Sequence, residues 1–285
     1  MHDYVIVGAG TAGCVLAARL SEDRRVSVLL VEAGPAARRL EVALPAAFSK
    51  LFGSPLDWGY RTTPQEALGG REVLFPRGRM VGGSASMNAM MVVRGHRGDH
   101  DQWRVPGWAW NDVAPCYARS AAGPFPRDLS RPAGVLTAAF VESAAAAGLP
   151  GIDVSEPDGE GVGVVPTSTR RGRRFSVARG YLGPARRRQN LTVLTGAHVT
   201  RVHLQGGRAS AVEATLDGHE ETFPASREVI LAAGAIGSPQ LLQVSGVGSP
   251  DHLGRLILWV TARALYGVRE HPGDDPRQVI LRSWL

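Results

Sequence analysis

The chain opens on an apolar run, Tyr4-Val5-Ile6-Val7, that passes at once into Gly8-Ala9-Gly10-Thr11-Ala12-Gly13. Beyond the glycines, Cys14-Val15-Leu16-Ala17-Ala18-Arg19-Leu20 spaces its apolar residues as a helix does. A second apolar run, Val26-Ser27-Val28-Leu29-Leu30-Val31, ends in Glu32. The pattern predicts strand, glycine turn, helix, strand and acidic residue, which is the order of a βαβ dinucleotide-binding unit. Further on, residues 136–147 predict an alanine-rich helix stopped by Gly148, and 151–172, rich in Gly, Pro and Asp, predict irregular loops. Short strand patterns follow at 191–194, 199–204, 209–216 and 220–223, with Gly206-Gly207 and Asp217-Gly218 placed as hairpin turns. A last apolar strand, 228–233, runs into Gly234.

Each part of the opening unit has a physical reason. Gly8 permits the tight turn out of the strand, Gly10 lets backbone approach a pyrophosphate, and Gly13 lets helix and strand pack closely. The N-terminus of the helix that follows offers unpaired N–H groups and a partial positive charge that suit phosphates. Glu32 is placed to accept hydrogen bonds from ribose hydroxyls. Nothing in this unit separates NAD from FAD.

A second glycine-rich segment reads Gly78-Arg79-Met80-Val81-Gly82-Gly83-Ser84-Ala85-Ser86-Met87-Asn88-Ala89-Met90-Met91. A third reads Gly234-Ala235-Ile236-Gly237-Ser238-Pro239-Gln240-Leu241-Leu242, continuing to Gly248. With the flanking Asp57-Trp58-Gly59-Tyr60, Pro64-Gln65, Arg94-Gly95-His96 and Asp101-Gln102-Trp103, these segments closely resemble the two signatures of the glucose–methanol–choline (GMC) oxidoreductases. Ala85 departs from the first signature, in a position normally Gly, Ser or Thr.

The resemblance covers about residues 1–260 and implies an α/β fold. That fold is an FAD/NAD(P)-binding Rossmann-like domain with part of an inserted α+β substrate domain. It divides the chain into a first FAD-binding part at 1–120, a partial substrate or cap domain at 121–190, a return to the FAD-binding domain at 191–250, and a degenerate segment at 251–285. FAD is the implied cofactor, with Gly8, Gly10, Thr11, Ala12, Gly13 and Glu32 on its ADP half. Val81, Gly83, Asn88, Ala89, Met90 and Met91 match the stretch lying along the flavin. Val199 matches a residue whose backbone meets the adenine, and Gly234 opens the second signature. Met87 stands where some members carry a histidine that attaches FAD covalently, so non-covalent FAD is expected.

The implied activity is oxidation of a CH–OH group in a small-molecule alcohol, with hydride passing to flavin N5. Neither the alcohol nor the electron acceptor is legible. After Gly248 the resemblance decays to an echo at 265–276. The histidine pair, or histidine and asparagine, that takes the alcohol proton in the family has no match here, so no catalytic residue is nominated. The chain is therefore expected to be a truncated N-terminal portion, poorly active alone. The alternatives are a non-catalytic FAD-binding remnant and an NAD-dependent dehydrogenase; the latter leaves the two later signatures unexplained.

Composition changes this picture little. The 285 residues are 44% hydrophobic and 20% charged, as in ordinary globular proteins. No apolar run reaches the roughly 18 residues of a membrane span, and no basic leader precedes the first strand, so a cytoplasmic protein is expected. Cys14 and Cys116 show no metal or redox spacing, and Cys14 is expected to be buried. His96, His100, His198, His203 and His219 are scattered without ligand spacing, so no metal site is expected. The net charge of +6 comes almost wholly from arginine, Lys50 being the one lysine. Its clusters, 170–174 and 186–188, lack interleaved aromatic residues; solvated surface is expected there, and no nucleic-acid partner.

Overall fold

A computed structural model of the chain describes residues 1–125, 134–156 and 159–249. The degenerate segment and the echo at 265–276 lie outside the described residues. Six strands build the main sheet: β1 (His2–Val7), β2 (Val28–Glu32), β3 (Leu191–Thr195), β4 (Ala197–Gln205), β5 (Arg208–Leu216) and β6 (His219–Leu231). Their spatial order is β3-β2-β1-β6-β5-β4. The first four of that order run parallel, while β6, β5 and β4 form an antiparallel meander. This is the mixed α/β, parallel-rich sheet of a Rossmann-like domain.

Both hairpin turns form where the glycine pairs predict them. Gly206 and Gly207 have φ of 56° and 78°, and Asp217 and Gly218 have φ of 50° and 84°, the left-handed pairs a tight primed turn requires. The separate strands expected at 220–223 and 228–233 are one strand, β6. Its residues up to Pro224 pair with β5, and from Ala225 onward it pairs with β1. Pro224 interrupts nothing because it sits at the exchange of partners, where a missing N–H costs the ladder little.

Helix α1 (Thr11–Leu20) starts three residues before the apolar pattern does. Gly13 permits this: a Cβ there would lie 1.9 Å from the Gly8 carbonyl oxygen. Three further helices are α2 (Trp110–Ala121), α3 (Val135–Ala146) and α4 (Gly234–Val244). The α3 range agrees with the alanine-rich pattern, yet none of its residues is buried.

The core lies in two layers, one on each face of the parallel strands. Ile6, Val28 and Leu30 pack against Cys14, Ala17 and Ala18 of α1 and against Val177, Leu182 and Ala185. Their alternates Val5, Val7, Leu29 and Val31 pack against Val199, Val202, Val212 and Ala214 of the meander and Leu241 of α4. Strands buried on both faces read as unbroken apolar runs, which is why β1 and β2 stand out in the sequence. Cys14 is fully buried as expected, its Sγ 3.1 Å from the Ala9 carbonyl, and burial pushes its thiol up to about 12.

The arginine clusters are not simply solvated. Arg188 donates to the Ala18 carbonyl and, at 2.8 Å, to Ser21 Oγ, so it caps the carbonyl end of α1. Arg174 is only 3% exposed. Both side chains donate to acceptors of the protein.

Leu30 is wholly buried whereas Leu204 is 42% exposed. Leu30→Ala is expected to destabilise by about 2–5 kcal/mol. Leu204→Ala should cost about 0.5 kcal/mol or less. Urea unfolding of both checks the layer assignment, and equal costs would contradict it.

Candidate cofactor site

A cleft of about 850 Å³ opens at the carboxyl ends of β1, β2 and β6. In open α/β sheets ligands bind at such strand ends, and the volume falls in the upper range for small-molecule sites. Its floor is Gly8, Gly10, Thr11 and Ala12, with Gly83 and Ser84 against them. Glu32 and Ala33 close one side, Ala197 to Thr200 another, and the start of α4 from Gly234 a third. Neither α1 nor α4 has a side-chain cap at its N-terminus, so both present unpaired N–H groups and partial positive charge to the same space.

The glycines differ in what they permit. At Gly83, with φ of 53°, a Cβ would lie 2.8 Å from the Cα of Gly10, so two glycine turns are in backbone contact. Gly10 itself has an ordinary φ of −73°, and a Cβ there would meet only the Ala232 carbonyl oxygen, at 3.8 Å. The protein does not need glycine at position 10. The room left there suits a ligand that approaches the backbone.

Glu32 is 6% exposed. Its Oε2 accepts from Ala9 N–H at 2.8 Å and its Oε1 from Gly34 N–H at 2.9 Å. Burial pushes its carboxyl up to about 7, although both amide hydrogen bonds and the charge of Arg79 pull the other way. Each carboxylate oxygen keeps a lone pair beyond the backbone bond it accepts, so the expected ribose contact remains open to it.

An aromatic wall completes the cleft. The rings of Trp58 and Tyr60 stack at 5.9 Å, and His198 lies 5.5 Å from Trp58. The Arg79 guanidinium sits 5.2 Å over the Trp58 ring, and its buried Nε has no hydrogen-bond partner. Burial and the Arg79 charge hold the His198 imidazole below its usual range. Asp57 places this wall: its carboxylate accepts from the N–H groups of Gly53, Gly59 and Arg77 at 2.8–3.1 Å.

Of the residues singled out in the sequence, Gly8, Gly10, Thr11, Ala12, Glu32, Gly83, Val199 and Gly234 line the cleft. Gly13 lies behind it, in the α1–β1 contact. Val81, Asn88, Ala89, Met90 and Met91 lie outside its lining. Val81 and Met90 are buried, and Asn88, Ala89 and Met91 are exposed, continuing the chain from Ser84. Trp58, Tyr60, Arg77, His198 and Thr200 line the cleft without having been singled out. The first two fall in a segment that carried the resemblance, but nothing local shows that Trp58 meets a residue 140 positions away.

Comparison with known proteins settles the affiliation. The family profile described as GMC oxidoreductase matches residues 2–258. This chain belongs to the GMC oxidoreductases. It is 45% identical over 270 residues to an uncharacterised GMC-type oxidoreductase of Mycobacterium tuberculosis, covering 88% of the chain and 51% of that protein. It is 40% identical over 297 residues to the mitochondrial choline dehydrogenase of Homo sapiens, covering 96% of the chain and 50% of the relative. Among solved structures it is similar to pyridoxine 4-oxidase from Mesorbium loti, with a TM-score of 0.82, 36% identity, and coverage of 89% of this chain and 53% of that one. The chain thus spans about half the length of these relatives. GMC oxidoreductases bind FAD, and the open space at Gly10, the buried acid at the wall and the two uncapped helix starts fit that group. Among the described residues no three His, Cys, Asp or Glu side chains gather as a metal site, and no helix is long and apolar enough to cross a membrane.

The position of Glu32 makes the ligand-free GMC chain sensitive to pH. Its folded-state pKa is raised, from 4.5 to about 7, so its contribution to stability is complete below the lower value and is lost as pH rises through the higher. The loss is on the order of 3 kcal/mol. Urea unfolding across this window should show the decline in the wild type and a flat profile in Glu32→Gln, which is also weaker at pH 5 because the amide nitrogen cannot accept from the N–H that the second oxygen serves. An unchanged slope in the variant would contradict the assignment.

Proposed function

We propose that the chain is the FAD-binding portion of a GMC-type oxidoreductase that oxidises the CH–OH group of a small alcohol and holds FAD non-covalently. The observation that carries this reading is the glycine-floored cleft at the strand ends, with the Glu32 carboxylate in its wall. Gly8, Gly10, Thr11, Ala12 and Gly13 hold the pyrophosphate on backbone N–H groups, and Glu32 accepts from the ribose. The backbone at Val199 meets the adenine. Val81, Gly83, Asn88, Ala89, Met90 and Met91 lie along the flavin half, with Gly234 bringing the second signature to the cofactor.

Bound FAD supplies a two-electron acceptor for the alcohol carbon. The chain's own residues bind and orient it, and the base that takes the alcohol proton is assigned to none of them. Relatives named for choline and pyridoxine support an alcohol-type substrate. Met87 supports non-covalent binding: its thioether is no nucleophile for the flavin, and it is buried beside Met80, Leu51 and Leu56. Two free thiols, Cys14 and Cys116, support a reducing, cytoplasmic compartment.

The purified chain mixed with FAD and freed of excess should show a flavin absorption spectrum, and heat denaturation should release all of it to the supernatant. Colour that stays with the precipitate would contradict the non-covalent reading. Gly10→Ala should leave the unfolding midpoint within a degree or two and weaken FAD at least tenfold, about 1.4 kcal/mol or more. Unaltered affinity would remove the pyrophosphate from this turn.

A further inference from the structure

Arg174 is a buried cation that neither the fold nor the cleft accounts for. Its Nε donates to the Val42 carbonyl at 2.9 Å, and its Nη1 donates to the Ala85 carbonyl at 3.2 Å and to Asn88 Oδ1 at 2.8 Å. Its Nη2 is buried without a partner, and among the described residues no carboxylate pairs with it. Burial alone pulls the guanidinium down to about 10. Stability does not explain the residue, because an apolar side chain of similar volume often does as well where a charge must be desolvated.

What the guanidinium touches is the segment that continues from the cleft. Ser84 lines the cleft, Ala85 follows it, and Asn88 and Ala89 are exposed. Asn88 Oδ1 also accepts from Met90 N–H at 3.0 Å, holding Met90 at a φ of 63°, which a side-chain-bearing residue rarely adopts. The stretch before Arg174 grips the same segment: Ser168 N–H donates to the Met90 carbonyl at 2.8 Å, and Val92 N–H to the Pro166 carbonyl at 2.9 Å. Among the described residues Arg174 is the one charged side chain that donates to this segment.

We infer that Arg174 is a positioning residue for the flavin half of the cofactor: it fixes residues 85–90 and sets a buried positive charge behind them, so that reduced FAD, the more negative form, is held more tightly than oxidised FAD. This rests on the FAD reading above. Two electrons and one proton turn oxidised FAD into a form with one additional negative charge, and a fixed cation nearby favours the form that carries it. In the substrate reaction the alcohol carbon supplies the electrons; in the test dithionite does, being oxidised to sulfite, and water supplies the proton.

The test measures the dissociation constants of oxidised and dithionite-reduced FAD for the full chain and three variants. Arg174→Met should lower the preference for reduced FAD about tenfold, a fall of about 30 mV in the potential of the bound couple. Arg174→Lys keeps the charge but not the planar fork, so it should weaken both forms while keeping their ratio. Asn88→Asp keeps the acceptor for Arg174 and Met90 and sets a carboxylate against the guanidinium, so it should lower the ratio whatever it does to the affinity for oxidised FAD. Should Arg174→Met fail to fold, Asn88→Asp decides the matter. A ratio unmoved by Asn88→Asp overturns the electrostatic role, and full affinity in Arg174→Lys overturns the fork. A wild type that takes up no FAD in either form overturns this inference together with the reading it rests on, whereas wild-type binding with unmoved ratios overturns the inference alone.

Discussion

The carboxylate of Glu32 ties two stretches of backbone that would otherwise separate. One oxygen holds Ala9, inside the glycine turn that leaves β1, and the other holds Gly34, where the chain leaves β2. Gly34 in turn has no room for a side chain, since a Cβ would lie 2.0 Å from the Arg79 carbonyl, and Gly83 is pressed against Gly10. The turn after β1, the exit from β2 and the loop of the first GMC signature are therefore one assembly, held by an acid among glycines. The cleft is the space that this assembly leaves at the sheet edge.

A buried ionisable group that forms no ion pair is costly, and Glu32 and Arg174 are two such groups near the proposed cofactor. Glu32 relieves its cost through backbone N–H groups and a raised pKa, and Arg174 does so through carbonyl and amide oxygens. Glu32 accepts from main chain at the glycine turn after β1, and Arg174 donates to two main-chain carbonyls and the Asn88 amide oxygen; neither forms an ion pair. This arrangement leaves the net field of each group available to a ligand, where a salt bridge would cancel it. The N-terminus of α1 adds positive potential at the glycine floor of the cleft.

The sheet was legible because strands buried on both faces write unbroken apolar runs, and the turns because only a left-handed pair closes so tight a hairpin. Glu32 and the glycines of the first turn were legible for the same local reason. The sequence shows two separate strand patterns in β6, at 220–223 and 228–233, and only the exchange of partners at Pro224 makes them one strand. The aromatic wall was not legible: Trp58 and His198 meet through a tertiary contact with no local signal, arranged by the hydrogen bonds of Asp57. The arginine cluster at 170–174 gives Arg174 the pattern of a surface residue. Its neighbours Arg171 and Arg173 are indeed exposed, and the two-residue strand that turns it inward has no pattern of its own.

The central claim is that the cleft recognises the ADP half of FAD through the first glycine turn and Glu32. Equilibrium titration of the chain with FAD and with FMN, followed by ADP competition, tests it most directly, because FMN keeps the whole flavin and lacks the adenosine half. The account predicts FAD binding on the order of a hundredfold tighter than FMN, a difference of about 2.7 kcal/mol, with ADP displacing FAD. FMN binding as tightly as FAD, untouched by ADP, would place recognition elsewhere and contradict the account.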